Sequence, residues 1–544
     1  MTAPPPPSLL RVQTLPGELA ASSRRIAAID VGSNSIHMVI ADPEPGGGFV
    51  VVDREKEMVR LGRSALSSGG RLSKKAFADG LEALARMTTL ARLRGVAHTV
   101  AVATSAVREA GNGKEFLEAV RSHTGLAVRR LSGKDEGRFI YRAVREAVDL
   151  GAGTAVVADI GGGSTEWIVT EGGDLASVDS LPLGSLRCAA RLRGDPVKTK
   201  SLHKLRKHID GELSALPSTG KVETLIATSG TAGCCADLAR HFAGRPPSEG
   251  SSGLRELRIK DLDRVIARLR AMPRREIALL PAVGAPRSES ILAGAMILRR
   301  LAAKAGSDRL LVSDRALREG LVLDVVGRPV EELPPPGEIR SGQIDKLARR
   351  CPAVYDHHQA TARLAVRLFD LTLSVHGLGP QEREWLEYAA MLHDLGYLVA
   401  YRRHHKHSFY LINSASLDAF DPREIEVIAH VARYHRRAMP KRDHPTFAAL
   451  KPWQRRCVRK LAAILRIADA LDRSHAQRVE EIFSSIGRRK VTIEVISPWD
   501  VSLELTTADE RCRMFRRVFR RKVAFRQGLE PVTGGAPSPR SGMR

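Results

Sequence analysis

Two short loops, each rich in glycine and hydroxyl side chains, carry the groups in this sequence that are best suited to chemistry. The first is Asp30-Val-Gly-Ser-Asn-Ser35 and the second is Asp159-Ile-Gly-Gly-Gly-Ser-Thr165. Glycines let the backbone approach a phosphate, successive N–H groups form an anion-binding nest, and hydroxyls add donors. Because the two loops share one frame, they predict that a phosphate chain is held between them.

The predicted phosphate contacts are the loop residues and a third strand-to-loop junction. They are Gly32, Ser33, Asn34, Ser35, Gly161, Gly162, Gly163, Ser164, Thr165, Ser229, Gly230 and Thr231. The leading aspartates, Asp30 and Asp159, are the predicted metal ligands, since a carboxylate suits Mg²⁺, with Mn²⁺ as the alternative ion. No Gly-x4-Gly-Lys-Ser/Thr pattern occurs in the sequence, which argues against a P-loop nucleotidase.

The apolar pattern around the loops predicts alternating strands and helices, and hence an α/β fold. Short β-rich runs at 26–29 and 36–40 flank the first loop, and runs at 155–157 and 167–169 flank the second. The repeat of strand, loop and strand predicts two related halves, which we place at 25–150 and 151–327.

The remaining boundaries follow from changes in composition. We expect a disordered Pro-rich lead-in at 1–24, a linker at 328–344, a helical domain at 345–485, a small α+β domain at 486–530 and a disordered tail at 531–544. In the C-terminal part, 491–495 and 501–505 are predicted strands, and 511–522 is a predicted basic helix.

The bulk composition limits the partners. A formal net charge of +25 predicts a polyanion without identifying it among nucleic acid, anionic membrane and inorganic polyphosphate. Aromatic residues make up only 4%, which argues against stacking platforms for single-stranded nucleic acid. No signal peptide and no apolar run of about 18 residues is visible, so we expect a cytoplasmic protein without a membrane span. Six scattered cysteines are expected to stay reduced.

Four motifs, in order along the chain, resemble the exopolyphosphatase/guanosine-pentaphosphate phosphohydrolase (Ppx/GppA) family. They lie at 30–40, 104–110, 131–138 and 159–166, and 229–231 and 316–320 fit the same pattern. The resemblance implies two actin-like (RNase H-like, ASKHA) domains that close over a phosphate chain. It also implies an all-α HD-like domain after them, then a small α+β domain, and a homodimer.

The resemblance assigns catalytic roles. The family's catalytic carboxylate falls on Glu136, as general base, although Asp135 departs mildly from the family motif. Arg108 would clamp phosphate oxygens, because a planar guanidinium binds them in a bidentate manner. The implied activity is Mg²⁺-dependent hydrolysis of terminal phosphate from inorganic polyphosphate. Guanosine 5′-triphosphate 3′-diphosphate (pppGpp) is the alternative substrate. An actin-like ATP-binding protein is another interpretation, and the Glu136 motif argues against it.

The histidines of the helical region form a second constellation. The order His358, His393-Asp394, Asp469 resembles the signature of HD phosphohydrolases, which implies a second divalent metal at these four residues. A purely structural domain is the alternative. His404, His405 and His407 are assigned to phosphate or solvent rather than to metal. A nucleic-acid-binding regulator is a further alternative, motivated by the charge alone.

Overall fold

The computed structural model describes residues 13–14, 24–44, 48–244, 253–327, 337–436 and 438–528. Most of the predicted lead-in and linker, and the whole predicted tail, lie outside these residues. The chain divides into two units, the first ending at Ile339 and the second beginning at Arg340. No helix among the described residues combines the length and the apolar character that a membrane span requires.

The first half of unit 1 contains a six-stranded mixed sheet. Its strands are β1 (Gln13–Thr14), β2 (Ile26–Val31), β3 (Ile36–Pro43), β4 (Phe49–Glu57), β5 (His98–Ala103) and β6 (Val128–Arg130). Strands β2, β3 and β4 form an antiparallel meander, and β5 and β6 add to β2 in parallel. Alternate residues of β2 enter different cores: Ala28 joins one and Ile29 the other. Because both faces of β2 are covered, its sequence is a continuous apolar run.

The helices of this half connect and cover the strands. They are α1 (Leu61–Ser67), α2 (Lys74–Leu93), α3 (Ser105–Glu109), α4 (Gly113–Thr124) and α5 (Gly133–Ala147). Ser73 caps α2 by accepting from the backbone N–H of Ala76 at 3.3 Å, and Ser132 caps α5 by accepting from that of Asp135 at 3.1 Å.

The second half of unit 1 repeats the strand order. Its strands are β7 (Thr154–Ile160), β8 (Thr165–Glu171), β9 (Asp174–Leu181), β10 (Thr224–Thr228), β11 (Arg255–Arg258) and β12 (Arg309–Val312). The order β9-β8-β7-β10-β12 matches β4-β3-β2-β5-β6 of the first sheet, with the same parallel and antiparallel pairs. The strand–loop–strand repeat predicted from the sequence is therefore present in the structure.

The second half also contains eight helices among the described residues. They are α6 (Ser185–Ala189), α7 (Thr199–Leu213), α8 (Ser229–Phe242), α9 (Ile259–Ala271), α10 (Arg274–Leu279), α11 (Gly284–Arg287), α12 (Ile291–Lys304) and α13 (Leu317–Val326). Helices α5 and α13 pack into one core with residues of both sheets, such as Ala28 and Val157. A Cβ on Gly320 of α13 would lie 1.9 Å from the carbonyl oxygen of Phe139 on α5, so only glycine allows this approach.

Unit 2 is mostly helical. Its helices are α14 (Ile339–Ala348), α15 (Tyr355–Leu371), α16 (Leu373–His376), α17 (Pro380–Leu392), α18 (His404–Ser414), α19 (Pro422–Arg433), α20 (Pro445–Ala449), α21 (Pro452–Ala470), α22 (Ser502–Arg511) and α23 (Arg513–Phe519), with 3₁₀ turns at Pro352–Val354 and Leu395–Leu398. A three-stranded sheet is formed by β13 (Glu481–Ile486), β14 (Lys490–Ile496) and β15 (Lys522–Gly528).

Three details of the C-terminal prediction differ from the structure. The boundary placed at 486 falls on the last residue of β13. Residues 501–505 were predicted as a strand, but α22 covers all but the first of them. The buried residues Val501, Glu504 and Ala508 recur at three- and four-residue spacing, which is the period of a helix. The predicted basic helix ends at Phe519, because Arg520 takes a left-handed conformation and β15 begins at Lys522.

Candidate active site and histidine cluster

The two Gly-rich loops adopt the same turn. In the first, the Gly32 N–H donates to the Ser35 carbonyl at 3.2 Å, and in the second, the Gly161 N–H donates to the Ser164 carbonyl at 3.0 Å. Each aspartate pairs across its hairpin with the residue seven positions later. Asp30 therefore lies opposite His37, and Asp159 lies opposite Glu166. The two loops, which match in sequence, therefore also match in their turn and in their strand pairing.

The loops approach each other closely. A Cβ on Gly162 would lie 2.7 Å from the Cβ of Ser33, and a Cβ on Gly163 would lie 2.4 Å from the Oγ of Ser105. The hydroxyls of Ser33 and Ser105 are themselves 3.0 Å apart. Any side chain at Gly162 or Gly163 would collide with the opposing half, so the glycines keep the two loops within reach of one small anion.

Glu136 lies in the first turn of α5, where the helix dipole favours a carboxylate. It is only 7% exposed. The guanidinium of Arg108 donates to the Leu131 carbonyl at 2.7 Å and lies 3.4 Å from the Glu136 carboxylate. Burial, with the nearby carboxylates of Glu166 and Asp30, raises the pKa of Glu136 well above its ordinary value, and Arg108 opposes this. The structure thus brings the two predicted catalytic residues together.

Asp30 and Asp159 end neighbouring hairpins of the two halves. Burial raises the pKa of Asp30 to about 6, against the opposing effect of Arg318. Burial also raises the pKa of Asp159, whose carboxylate accepts a hydrogen bond from the Thr228 hydroxyl. The Oδ1 atom of Asp30 is buried without a hydrogen-bond partner among the described residues. An orphaned anionic oxygen of this kind is a suitable position for a cation.

Glu166 is a further acidic residue of this site that the sequence did not single out. Burial, with the charge of Asp159, raises its pKa to about 8. One carboxylate oxygen accepts from the Ser180 hydroxyl at 2.9 Å, and the other is buried without a partner among the described residues. The strand pairing opposite Asp159 was the signal that could have identified it.

Basic side chains face the same region. Arg318, in the first turn of α13, lowers the pKa of Asp30 and Asp159, so it adds positive charge at the carboxylates. Burial, together with Arg318 and Lys56, lowers the pKa of His37 to about 3, which keeps that ring neutral. The site therefore sets a group of buried carboxylates beside Arg318 and Lys56, a combination that suits a metal ion together with a phosphate.

The third junction is a helix start rather than a loop. Ser229, Gly230 and Thr231 form the first turn of α8, a helix N-terminus of the kind that binds anions, although the Thr231 N–H donates to the Ser229 hydroxyl at 3.3 Å. Ser229 has a φ of 88°, which is unusual for a residue with a side chain. A Cβ on Gly230 would lie 2.6 Å from the guanidinium of Arg287, so the glycine makes room for that arginine.

Unit 2 contains a separate cluster of buried histidines and aspartates. His357, His393 and Asp394 offer ligand atoms that all lie within 4.8 Å of one another. The Oδ1 atom of Asp469 lies 3.5 Å from Nε2 of His357 and 3.8 Å from Nε2 of His393. The predicted residues His393, Asp394 and Asp469 therefore meet. His358 is not one of the grouped ligands, although its ring centroid lies 5.3 Å from that of His393; it is His357 that brings Nε2 to Asp469.

A second group shares Asp394. Nε2 of His404 lies 3.1 Å from the Oδ1 of Asp394, and Nε2 of His435 lies 3.4 Å from the same oxygen. All three ligand atoms lie within 4.8 Å of one another. His404, which the sequence assigned to phosphate or solvent, is buried in the structure and its ring faces Asp394.

The imidazoles of this cluster are oriented in one way. Nδ1 of His393, His404 and His435 contacts a backbone carbonyl three residues earlier, at 2.7, 3.0 and 2.7 Å, and Nδ1 of His357 contacts Asp472 at 2.7 Å. With Nδ1 engaged, each ring presents Nε2 to the cluster, which is the arrangement of metal-binding histidines. Arg511 forms an ion pair with the outer oxygen of Asp469. The donor set therefore fits a divalent cation.

The two units match two parts of one known family. A family model described as the Ppx/GppA phosphatase family matches residues 39–328, and one described as Ppx/GppA phosphatase, domain III, matches residues 339–511. Over 306 residues the chain is 34% identical to Exopolyphosphatase 1 of Mycobacterium leprae (strain TN), which covers 55% of this chain and 88% of that protein.

Two further relatives match a similar share of this chain. Exopolyphosphatase 1 of Mycobacterium tuberculosis (strain ATCC 25618 / H37Rv) is 33% identical over 306 residues, which cover 55% of this chain and 87% of that protein. A crystal structure of an exopolyphosphatase from Cytophaga hutchinsonii superposes with a TM-score of 0.52 at 25% identity, covering 56% of this chain and 99% of that chain. The paired sheets of unit 1 have the actin-like α/β fold of these proteins.

Proposed function

Because this chain belongs to the Ppx/GppA phosphatase family and is a phosphoanhydride hydrolase, we propose that it removes terminal orthophosphate from inorganic polyphosphate. The observation that carries the proposal is the buried carboxylate of Glu136, held beside Arg108 and close enough to the leading aspartates of both loops to be affected by their charges. Binding of a phosphate chain needs the loops alone, whereas its hydrolysis also needs a group that orients or activates water.

Glu136 is proposed as the general base. A carboxylate whose pKa is raised by burial and by neighbouring acids takes a proton from water more readily than an ordinary one. Glu136 would accept the proton from the attacking water, and Arg108 would hold the oxygens of the terminal phosphate. The backbone N–H groups of the two loops and of the first turn of α8 would bind the rest of the phosphate chain.

A divalent cation fits the carboxylates of unit 1. Asp30 and Asp159 would hold Mg²⁺, with Mn²⁺ as the alternative, and the unpartnered oxygen of Glu166 makes it a third candidate. The bound ion would neutralise charge on the phosphate oxygens. Among the described residues, two groups of three residues have ligand atoms within 4.8 Å of one another, and both groups are in unit 2. The carboxylates of unit 1 are more widely spaced. A looser set suits Mg²⁺, which is usually bound by one or two carboxylates together with substrate phosphates.

The substrate choice rests on charge and composition. A net charge of +25 favours a long polyanion, and the scarcity of aromatic residues favours one without bases. The alternative is pppGpp, which presents the same triphosphate to the loops. Orthophosphate release from long-chain polyphosphate and from pppGpp, measured at matched concentrations with and without Mg²⁺, decides between them. A higher kcat/KM for pppGpp would reverse the order.

We further propose that unit 2 is an HD-like domain that binds divalent metal at His357, His393, Asp394 and Asp469. Asp394 would also contribute to a second position with His404 and His435. Elemental analysis of the purified protein tests this. His393→Ala should lose bound metal relative to the wild type, while His376→Ala, a buried histidine outside the cluster, should keep it. Equal metal content in both variants would contradict the assignment.

Location and assembly are also proposals. The six cysteines are buried and free, which is consistent with a reducing cytoplasm. We expect a homodimer, no membrane association and no specific nucleic-acid partner. Light scattering on the purified chain would reveal the oligomeric state, and a monomer would contradict this expectation.

A further inference from the structure

A cavity opens beside the histidine cluster of unit 2. It has a volume of about 240 Å³ and is lined by Tyr401, Arg402, Arg403, His404, His405 and Arg436. His404 connects the two features, because its ring lines the cavity and its Nε2 lies 3.1 Å from Asp394. A ligand in the cavity would therefore face the cluster.

The cavity is strongly positive. Among the described residues, none of Arg402, Arg403 and Arg436 forms an ion pair with a carboxylate, and Arg436 instead directs its guanidinium to His404 at 3.3 Å. Elsewhere in unit 2, Arg340 is paired with both Glu384 and Glu424. Converging guanidinium groups without acidic partners are suited to a phosphate.

The backbone supports a functional role for Arg403. Its φ is 63°, in the left-handed region that favours glycine. An arginine in this conformation costs backbone energy, and of the three arginines that line the cavity Arg403 is the one that adopts it. The left-handed residue directs Arg403 to the cavity at the start of α18.

One side of the cavity is formed by an exposed tyrosine. Tyr401 is 72% exposed, and its ring stacks on that of Tyr397 with centroids 5.5 Å apart. Leu398 and Val399 are also exposed beside it. A phosphate chain has no group that uses such a surface, whereas a planar ring stacks on it.

We propose that this cavity binds a phosphate ester that carries an aromatic ring, of the nucleoside monophosphate class, with the phosphate toward Arg436 and His404 and the ring on Tyr401. A volume of about 240 Å³ is below the usual range for a whole ligand, so the phosphate end lies inside and the ring lies on the rim. The site is separate from the exopolyphosphatase site proposed in unit 1. It depends on the proposed metal cluster only in that the phosphate faces that cluster.

Calorimetric titration of the full chain with four probes, in the presence of Mn²⁺, tests the ligand class. The probes are adenosine 5′-monophosphate, ribose 5-phosphate, adenosine and tripolyphosphate. The monophosphate should bind about tenfold more tightly than ribose 5-phosphate, as one stacked base predicts. Equal affinity for these two, or displacement of the nucleotide by tripolyphosphate at lower concentration, would overturn the proposal.

Two variants locate the binding. Arg403→Gly removes the guanidinium but suits the left-handed backbone, so the fold is retained and nucleotide affinity should fall about tenfold. Tyr401→Ala should reduce affinity for the nucleotide and leave that for ribose 5-phosphate unchanged. Tyr410→Ala is the matched control, since Tyr410 is equally a surface tyrosine, 66% exposed, but does not line the cavity. Unchanged nucleotide binding in Arg403→Gly and Tyr401→Ala would place the nucleotide elsewhere and refute the site.

Metal content measured on the same samples separates this proposal from that for the cluster. Nucleotide binding without bound metal would contradict the metal site alone. Bound metal without nucleotide binding would contradict the cavity alone.

Discussion

Replacing Glu136 by glutamine tests the proposed water activation directly. Glutamine keeps the shape of the side chain and can still lie near Arg108, but it cannot accept a proton at neutral pH. General-base assistance contributes about 10²- to 10⁴-fold in rate. The variant should therefore lose about 3–5 kcal/mol of transition-state stabilisation, at 1.36 kcal/mol for each factor of ten.

Binding should respond in the opposite sense. Glu136 is buried with other carboxylates, which raise its pKa, so its charge is unfavourable in the folded protein and repels a phosphate chain. Glu136→Gln removes that charge. We expect KM for polyphosphate to stay the same or fall, and the melting temperature to stay the same or rise, while kcat collapses.

The assay is orthophosphate release from long-chain polyphosphate under saturating Mg²⁺, with thermal unfolding of the same samples. Asp135→Asn is the matched control, because Asp135 is the preceding residue and its carboxylate pairs with Arg138 at the surface, 3.2 Å away. The control should retain activity within about twofold, since exposed ion pairs contribute little. If Glu136→Gln kept more than about a tenth of wild-type kcat, another group would be the base. The same conclusion would follow if Asp135→Asn lost as much activity as Glu136→Gln.

Three more outcomes are expected. Burial raises the pKa of Glu166 from 4.5 to about 8, so without metal the folded protein holds a proton that the unfolded chain has released. The free energy of unfolding should therefore fall as pH rises between these values. In thermal melts Glu166→Gln should flatten this pH dependence, and an unchanged slope would contradict the argument. Gly163→Ala should lower the free energy of unfolding by about 1–3 kcal/mol and the activity at least tenfold, because its Cβ would lie 2.4 Å from the Ser105 hydroxyl. The control Gly211→Ala on α7 meets open space and should be neutral or stabilising when unfolding in urea is measured. Arg340→Met should lower the free energy of unfolding of unit 2 in urea by about 2–4 kcal/mol, since it leaves Glu424 and the partly exposed Glu384 without their cationic partner. A decrease below about 1 kcal/mol would contradict this prediction.

Much of unit 1 could be predicted from the sequence because local pattern and local chemistry coincide there. Each apolar run before a Gly-rich loop forms a strand, and the loops take matching turns. Glu166 and Arg318 could not be predicted in the same way. Their positions depend on strand pairing and on a helix packed between two sheets, which single-residue spacing does not specify.

Unit 2 shows a finer limit. The sequence located the histidine cluster, but two adjacent histidines, His357 and His358, could each supply the first ligand. The choice depends on the rotation of α15 about its axis, which its packing sets. Nε2 of His357 lies 3.5 Å from Asp469, whereas both ring nitrogens of His358 are buried without a hydrogen-bond partner among the described residues. The approach of His404 to Asp394 could not be predicted either, because its ring follows a left-handed residue, Arg403, rather than a helical period.

The two halves of the duplicated fold differ at one paired position: Asp30 lies opposite His37, whereas Asp159 lies opposite Glu166. Inorganic polyphosphate has identical ends and no sense of its own along the chain. Two identical hairpins would present it with two equivalent orientations and two equivalent faces for attack. A neutral imidazole in one half and a carboxylate in the other abolish that equivalence, so the proposed substrate would meet two chemically different loops.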